Sequence, residues 1–93
     1  MSAEIQVYIS GSSGSQEIKK KQQRIIMILD GIKCNYSQVD ISSDSDAKDK
    51  MREIVGDPHA LPPQICRGDS YCGNYEAFDE AVESETLKEF LGI

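Results

Sequence analysis

A helical pattern set between two strand-like segments is the feature that most restricts how this chain can fold. Glu4-Ile5-Gln6-Val7-Tyr8-Ile9 alternates polar and apolar side chains, then merges into an apolar end, as a largely buried strand does. Ser10-Gly11-Ser12-Ser13-Gly14-Ser15 is too polar and glycine-rich to continue a ladder. Ser13 followed by Gln16 makes a capping-box pattern, which predicts a helix running to about Asp30. Ile18, Ile25, Ile26 and Leu29 fall on one side of it, with Lys19 to Lys21 outside. Met27 and Ile28 widen the apolar stripe, so the helix is expected to be gripped on more than one face. Gly31 offers a left-handed stop, and Cys34 to Ile41 reads as the second strand. Strand, helix and strand in succession imply a parallel pair joined by a right-handed crossover.

The second half adds a helix and a hairpin. Ser43 with Asp46 can cap a helix through Val55, in which Ala47, Met51, Ile54 and Val55 keep helical spacing. Gly56-Asp57-Pro58 ends it, because proline cannot continue the hydrogen-bond ladder. Leu61-Pro62-Pro63 leads into a short strand, Gln64 to Arg67; Gly68-Asp69 turns, and Ser70-Tyr71-Cys72 returns antiparallel. On that two-residue turn Ile65 pairs with Cys72 and Cys66 with Tyr71, so the two cysteines face opposite ways. Gly73-Asn74 opens a helix carrying Ala77, Phe78, Ala81 and Val82; Ser84 can restart it, and Leu87, Phe90 and Leu91 dock the end. The expected order is β-α-β-α-β-β-α-α in one α/β domain spanning residues 1–93, with a four-stranded mixed sheet.

Composition narrows the function. The longest wholly apolar run, Ile25 to Leu29, is far short of the ~20 residues a membrane span needs. No basic-then-apolar leader precedes Glu4, so an intracellular protein without membrane insertion is expected. Ten basic against sixteen acidic residues give a net charge of −6, which speaks against nucleic acid as a partner. The three cysteines, Cys34, Cys66 and Cys72, contain no C-x-x-C; with the single His59 their spacings match no compact zinc module. Reduced thiols, mostly buried, are expected.

Several segments carry a resemblance. Val7-Tyr8, Gly14 to Lys19, Ile28 to Gly31, Val39 to Ser42, Pro62 to Ile65 and Gly68 to Gly73 resemble the SH3-domain-binding glutamic-acid-rich-like family, small relatives of the glutaredoxins. The likeness covers essentially the whole chain, whose length and segment order are those of a short family member. It implies a thioredoxin-like, glutaredoxin-type three-layer sandwich with a cis-proline, Pro63, before the third strand. It also implies a cytosolic protein, with the nucleus as a second location, that lacks glutaredoxin activity and serves as an adaptor or redox modulator.

The chemistry of the residues fits that implication. Glutaredoxins place a thiol where the N-terminus of the first helix lowers its pKa. Here Ser13-Gly14-Ser15-Gln16 stands in the place of the C-x-x-C. A serine hydroxyl is un-ionised near neutral pH and forms no mixed disulfide, so no catalytic residue is assigned. Helix capping and turn formation explain Ser12, Ser13 and Ser15 without catalysis. The resemblance implies three glutathione-holding features, and they survive in part. Ile9 and Ser10 offer no lysine near the loop, and Pro62 lacks the N–H that would pair with the cysteinyl unit. Gly73-Asn74-Tyr75-Glu76 keeps a helix N-terminus and an acid. Weak glutathione binding at most is expected, with no other cofactor and no metal site.

Three motif matches have plainer readings. Pro58, Pro62 and Pro63 make no P-x-x-P, and the last two lead into a strand, so no SH3 ligand is expected. Arg67-Gly68-Asp69 spells an integrin-type tripeptide but sits at a hairpin turn. Asp40, Asp44, Asp46 and Asp49 lack the glycine and terminal glutamate of an EF-hand loop, and negative residues at a helix start suit its dipole. The expected activity is therefore protein binding by a monomer, through a groove rimmed by Ser10, Leu61, Pro62, Gly73, Asn74, Tyr75 and Glu76. A weakly glutathione-binding protein using a peripheral thiol such as Cys34 is the alternative.

Overall fold

Strand β1, Ile5–Ile9, threads the middle of the fold because both of its faces are apolar enough to bury. Ile5 and Val7 face one side, Tyr8 the other, and all three are buried. The computed structural model describes residues 4–12 and 14–93. Helix α1, Gln16–Gly31, follows, then β2, Tyr36–Asp40, and α2, Ser45–Val55. Strands β3, Gln64–Arg67, and β4, Ser70–Asn74, form the hairpin, and α3, Tyr75–Glu83, and α4, Leu87–Leu91, close the chain. The expected element order is observed.

The four strands lie in the order β2-β1-β3-β4. β1 pairs with β2 in parallel and with β3 antiparallel, and β3 with β4 antiparallel. Two cores flank the sheet. Ile5, Val7 and Ile65 pack with Ile25 and Leu29 of α1, Phe78 of α3 and Leu91 of α4. On the other face, Tyr8 and Cys66 pack with Ile41, Met51 of α2 and Ala60. The result is a three-layer α/β/α sandwich. A cis peptide bond joins Pro62 to Pro63, immediately before β3.

Several local details depart from the sequence reading. Ser13 lies outside the described residues, and the α1 cap is Ser15, whose Oγ accepts from the Ile18 N–H at 3.3 Å. Gly31 stays within the helix, and Lys33 turns the chain at φ 57° instead. Met27 is 67% exposed, so the apolar stripe is narrower than its sequence suggests. Cys34 and Asn35 precede β2 rather than beginning it, and Asp44, not Ser43, caps α2 by accepting from Ala47 N–H. In the hairpin, Cys66 pairs with Tyr71 as expected, but Ile65 lies opposite Gly73. A bulge absorbs Cys72, a residue that turn length alone does not reveal. Cys66 and Cys72 still pack against opposite cores. Gly73 and Asn74 belong to β4, with Asn74 as the α3 cap, and Ser84 ends α3 rather than restarting a helix.

Candidate functional site

At the C-terminal end of β1, three loops meet: the start of α1, the Leu61-Pro62-Pro63 bend, and the β4–α3 junction. Each is fixed by a polar side chain. Buried Gln64 donates through Nε2 to the Leu61 carbonyl at 2.8 Å and accepts the Tyr71 hydroxyl at Oε1, 2.7 Å. The bend is thereby tied to β4 by a side chain whose polar atoms both find partners. Asn74 Oδ1 accepts from Ala77 N–H at 2.9 Å and sets the start of α3.

The loop from β1 to α1 is held from two sides. Gln22 of α1 accepts the Ser10 N–H at 2.8 Å and donates to the Ser10 carbonyl at 3.3 Å. Asp40, ending β2, accepts from the Gly11 and Ser42 N–H groups and from the Ser42 hydroxyl. The Ser42 hydroxyl first, then the two backbone N–H groups, hold the Asp40 carboxyl below the usual carboxylate range. A side chain at Gly11 would meet Asp40 Oδ2 at 2.5 Å, so glycine permits this approach.

Between the loops lies a groove of about 510 Å³. Of the residues expected there, Ser15, Leu61, Pro62, Pro63, Asn74, Tyr75 and Glu76 line it. Ser10 instead faces a neighbouring cavity of about 230 Å³ beyond Pro62, beside Lys48 and Arg52. Gly73 is buried under Phe90, and Gly14 and Gln16 are exposed away from the lining. His59 is at the rim, its backbone N–H bonded to Asp57 Oδ1 at 2.8 Å.

Lys21 is the residue the sequence reading placed wrongly. It lies on the groove side of α1, with Nζ 3.1 Å from both Glu17 and Glu76 and 5.4 Å from the Tyr75 ring centre. The Ile18–Lys21 spacing of three residues was the available signal, since such neighbours share a helix face. The Lys21 contact lowers the Glu76 pKa, and Glu76 with Glu17 raises that of Lys21. Tyr75 is held by Arg24, which donates to its hydroxyl at 3.1 Å and pairs with Asp79 at 2.7 Å. The single acid expected for a ligand amine thus already has a cation of its own chain.

Cysteine is missing from the groove lining. Cys66 is fully buried, and burial pushes its thiol up to about 12. Burial also raises Cys34 and Cys72, both half-buried. Pro62 and Pro63 are buried, and Arg67-Gly68-Asp69 forms the hairpin turn, with Asp69 3.5 Å from Lys50. Among the described residues no group of three His, Cys, Asp or Glu side chains could hold a metal ion, and no helix is long and apolar enough to cross a membrane.

Comparison with known proteins places this geometry. The sequence profile described as "SH3-binding, glutamic acid-rich protein" matches residues 3–93. The chain belongs to that family. It is 44% identical over 103 aligned positions to the SH3 domain-binding glutamic acid-rich protein homolog of Drosophila melanogaster, covering 96% of this chain and 64% of that protein. Family membership thus extends to a relative of which this chain spans less than two thirds. Among solved structures, the C. albicans actin interacting protein Aip5 superposes with a TM-score of 0.79 at 24% identity, covering 96% of this chain and 88% of that one. The holo form of glutaredoxin C1 from Populus tremula x tremuloides superposes with a TM-score of 0.70 at 16% identity, over 97% and 84%. At such identities the two structures speak for the fold, which is glutaredoxin-like.

Proposed function

We propose that this family member is a protein-binding module without oxidoreductase activity, and that its contact surface is the groove between Leu61, Tyr71 and Tyr75. One observation carries the reading: a glutaredoxin-type groove remains, but no thiol lines it. Serine caps α1 there, and the nucleophile of thiol–disulfide exchange is a thiolate. The cysteines elsewhere give no substitute, since burial raises the pKa of each. The family description, which names binding, supports protein partners.

The lining favours a peptide over glutathione. Pro62 has no N–H to offer, and Glu76 is engaged by Lys21. Against that stand Leu61, 61% exposed, and Tyr71, 39% exposed, which add apolar surface to the lining. Buried Pro62 and Pro63 cannot be presented as a polyproline helix, so the partner meets the groove and not a proline ligand. The proposed setting is the cytosol and nucleus, where free thiols such as Cys34 stay reduced.

Two measurements test the reading. A glutathione-coupled disulfide reductase assay is expected to show no turnover above the uncatalysed rate; turnover lost in a Cys34→Ser variant would overturn it in favour of a peripheral thiol. Photo-crosslinkers placed separately at Leu61 and Tyr71 are expected to capture the same cytosolic protein, with capture abolished by Leu61→Asp. Capture of that protein from a site on α2 but not from the groove would refute the assigned surface.

A further inference from the structure

A second cavity, larger than the groove, opens at the opposite end of the sheet and measures about 740 Å³. Its position follows from the register: Ile5 pairs with Arg67 there, whereas Tyr8 pairs with Gln64 beside the groove. Lys33, Arg67 and Lys88 line it, from the α1–β2 loop, the end of β3 and α4 respectively. Glu4 is the acidic side chain of the lining. In a chain of net charge −6, this concentration of cations runs against the overall field.

Among the described residues these three cations also lack a carboxylate partner. Lys21, Arg24 and Lys50 each have a carboxylate partner, but among the described residues no ion pair or side-chain hydrogen bond joins Lys33, Arg67 or Lys88 to an acceptor. Arg67 is half-buried, and its guanidinium is seated against the Gly92 backbone. A Cβ at position 92 would come within 2.9 Å of Nε, so glycine at φ 75° leaves the space that the guanidinium uses. A half-buried guanidinium with no acceptor among the described residues is a site that a carboxylate fits, with two parallel hydrogen bonds. The rim adds apolar surface: Ile32 is 39% and Ile93 58% exposed.

We propose that this cavity is a docking site for an acidic peptide segment of a partner protein, with Arg67 gripping a carboxylate and Lys33 and Lys88 flanking it. The volume lies within the range of organic-ligand pockets, ~300–1,000 Å³, and exceeds what a lone inorganic anion fills. The exposed isoleucines supply contacts that only a ligand with apolar groups can use. The site is independent of the groove: its occupant binds whether or not the groove has a partner.

The test is an amide NMR titration of the whole chain with a short capped peptide of glutamate and leucine. A glutamine-for-glutamate peptide, succinate and inorganic phosphate are the comparison ligands. The acidic peptide is expected to give saturable shifts at Lys33, Cys34, Arg67 and Gly92, leaving the groove amides of Leu61, Tyr75 and Glu76 unmoved. Affinity should fall at least about tenfold with the glutamine peptide and with Arg67→Gln, and fall further as salt is raised. Lys88→Gln, at an exposed position, keeps the comparison valid if Arg67→Gln fails to fold, and is expected to weaken binding severalfold. Equal binding of both peptides, shifts confined to the groove, or no saturable shifts would overturn the proposal. Succinate or phosphate binding as tightly as the peptide would overturn the peptide assignment in favour of a small-anion site.

Discussion

Replacing Gln22 by leucine should destabilise the fold and release the loop that shapes one wall of the groove. The side chain is 9% exposed and completes both hydrogen bonds of Ser10, the residue just past the end of β1. Leucine keeps the volume but leaves a donor and an acceptor facing hydrocarbon. Two bonds at about 1 kcal/mol each give ~2 kcal/mol, and desolvation of the stranded groups adds up to ~1 more. Ser10 is half-buried, so water reaches it in part, and the lower figure is the expected one. Against a total of ~5–10 kcal/mol for a domain of this size, that is a large fraction. The thermal midpoint should fall by about 10–15 °C, and the urea midpoint by roughly 2 M for a slope near 1 kcal/mol/M.

Hydrogen exchange makes the test local. The Ser10 amide is expected to lose protection in the leucine variant far beyond the global loss measured at β1. Gln22→Glu probes the same clamp through pH: the carboxylate can accept from the Ser10 N–H but opposes its carbonyl. Protonation restores a donor, which raises the folded-state pKa of the introduced acid above its unfolded value of ~4.3. Its contribution is therefore complete below that unfolded value and is lost as pH rises through the folded one. A leucine variant within ~0.5 kcal/mol of the parent, with Ser10 still protected, would refute the clamp.

Three further outcomes are expected. Lys21→Met should return the Glu76 carboxyl towards the ordinary range, read from its carbonyl NMR titration; an unchanged midpoint would mean that Lys21 is not the cause of the depression. In the parent, Glu76's stabilising contribution is present above its unfolded pKa and lost as pH falls through the lowered folded one. Timed alkylation read by mass spectrometry should modify Cys34 and Cys72 well before Cys66, whose thiol is fully buried with a pKa of about 12; equal rates would contradict the packing. Gly73→Ala should cost ~1–3 kcal/mol because its methyl would stand 2.7 Å from the Phe90 ring, and a Phe90→Leu background should recover part of that cost.

Element order was legible because each helix and strand carries its own period, and the two-faced β1 and the prolines before β3 leave few topologies. The groove wall at Leu61 to Pro63 came from the family resemblance, whereas the helix start at Gly73-Asn74 followed from local signals. What escaped depends on partners distant in sequence. Gln22 is an ordinary polar helix residue until Ser10, twelve positions away, presents both backbone groups to it. Lys21 became a groove residue only when α3 brought Glu76 within 3.1 Å. The bulge at Cys72 lies beyond the turn, where Gly73 packs under Phe90, a residue seventeen positions on.

These long-range clamps bear on how the groove keeps its shape. Here Ser10 is fixed by Gln22, Gly11 by Asp40, Leu61 by Gln64, and Tyr75 by Arg24. None of these bonds involves Ser15, the α1 cap. The groove walls are therefore maintained by interactions a contact surface needs, since rigid walls lower the entropy cost of binding. Loosening Gln22 should then weaken partner capture at Leu61 even though Gln22 touches no partner, whereas Cys34→Ser should leave it unchanged. A redox role through the peripheral thiol requires the opposite ranking.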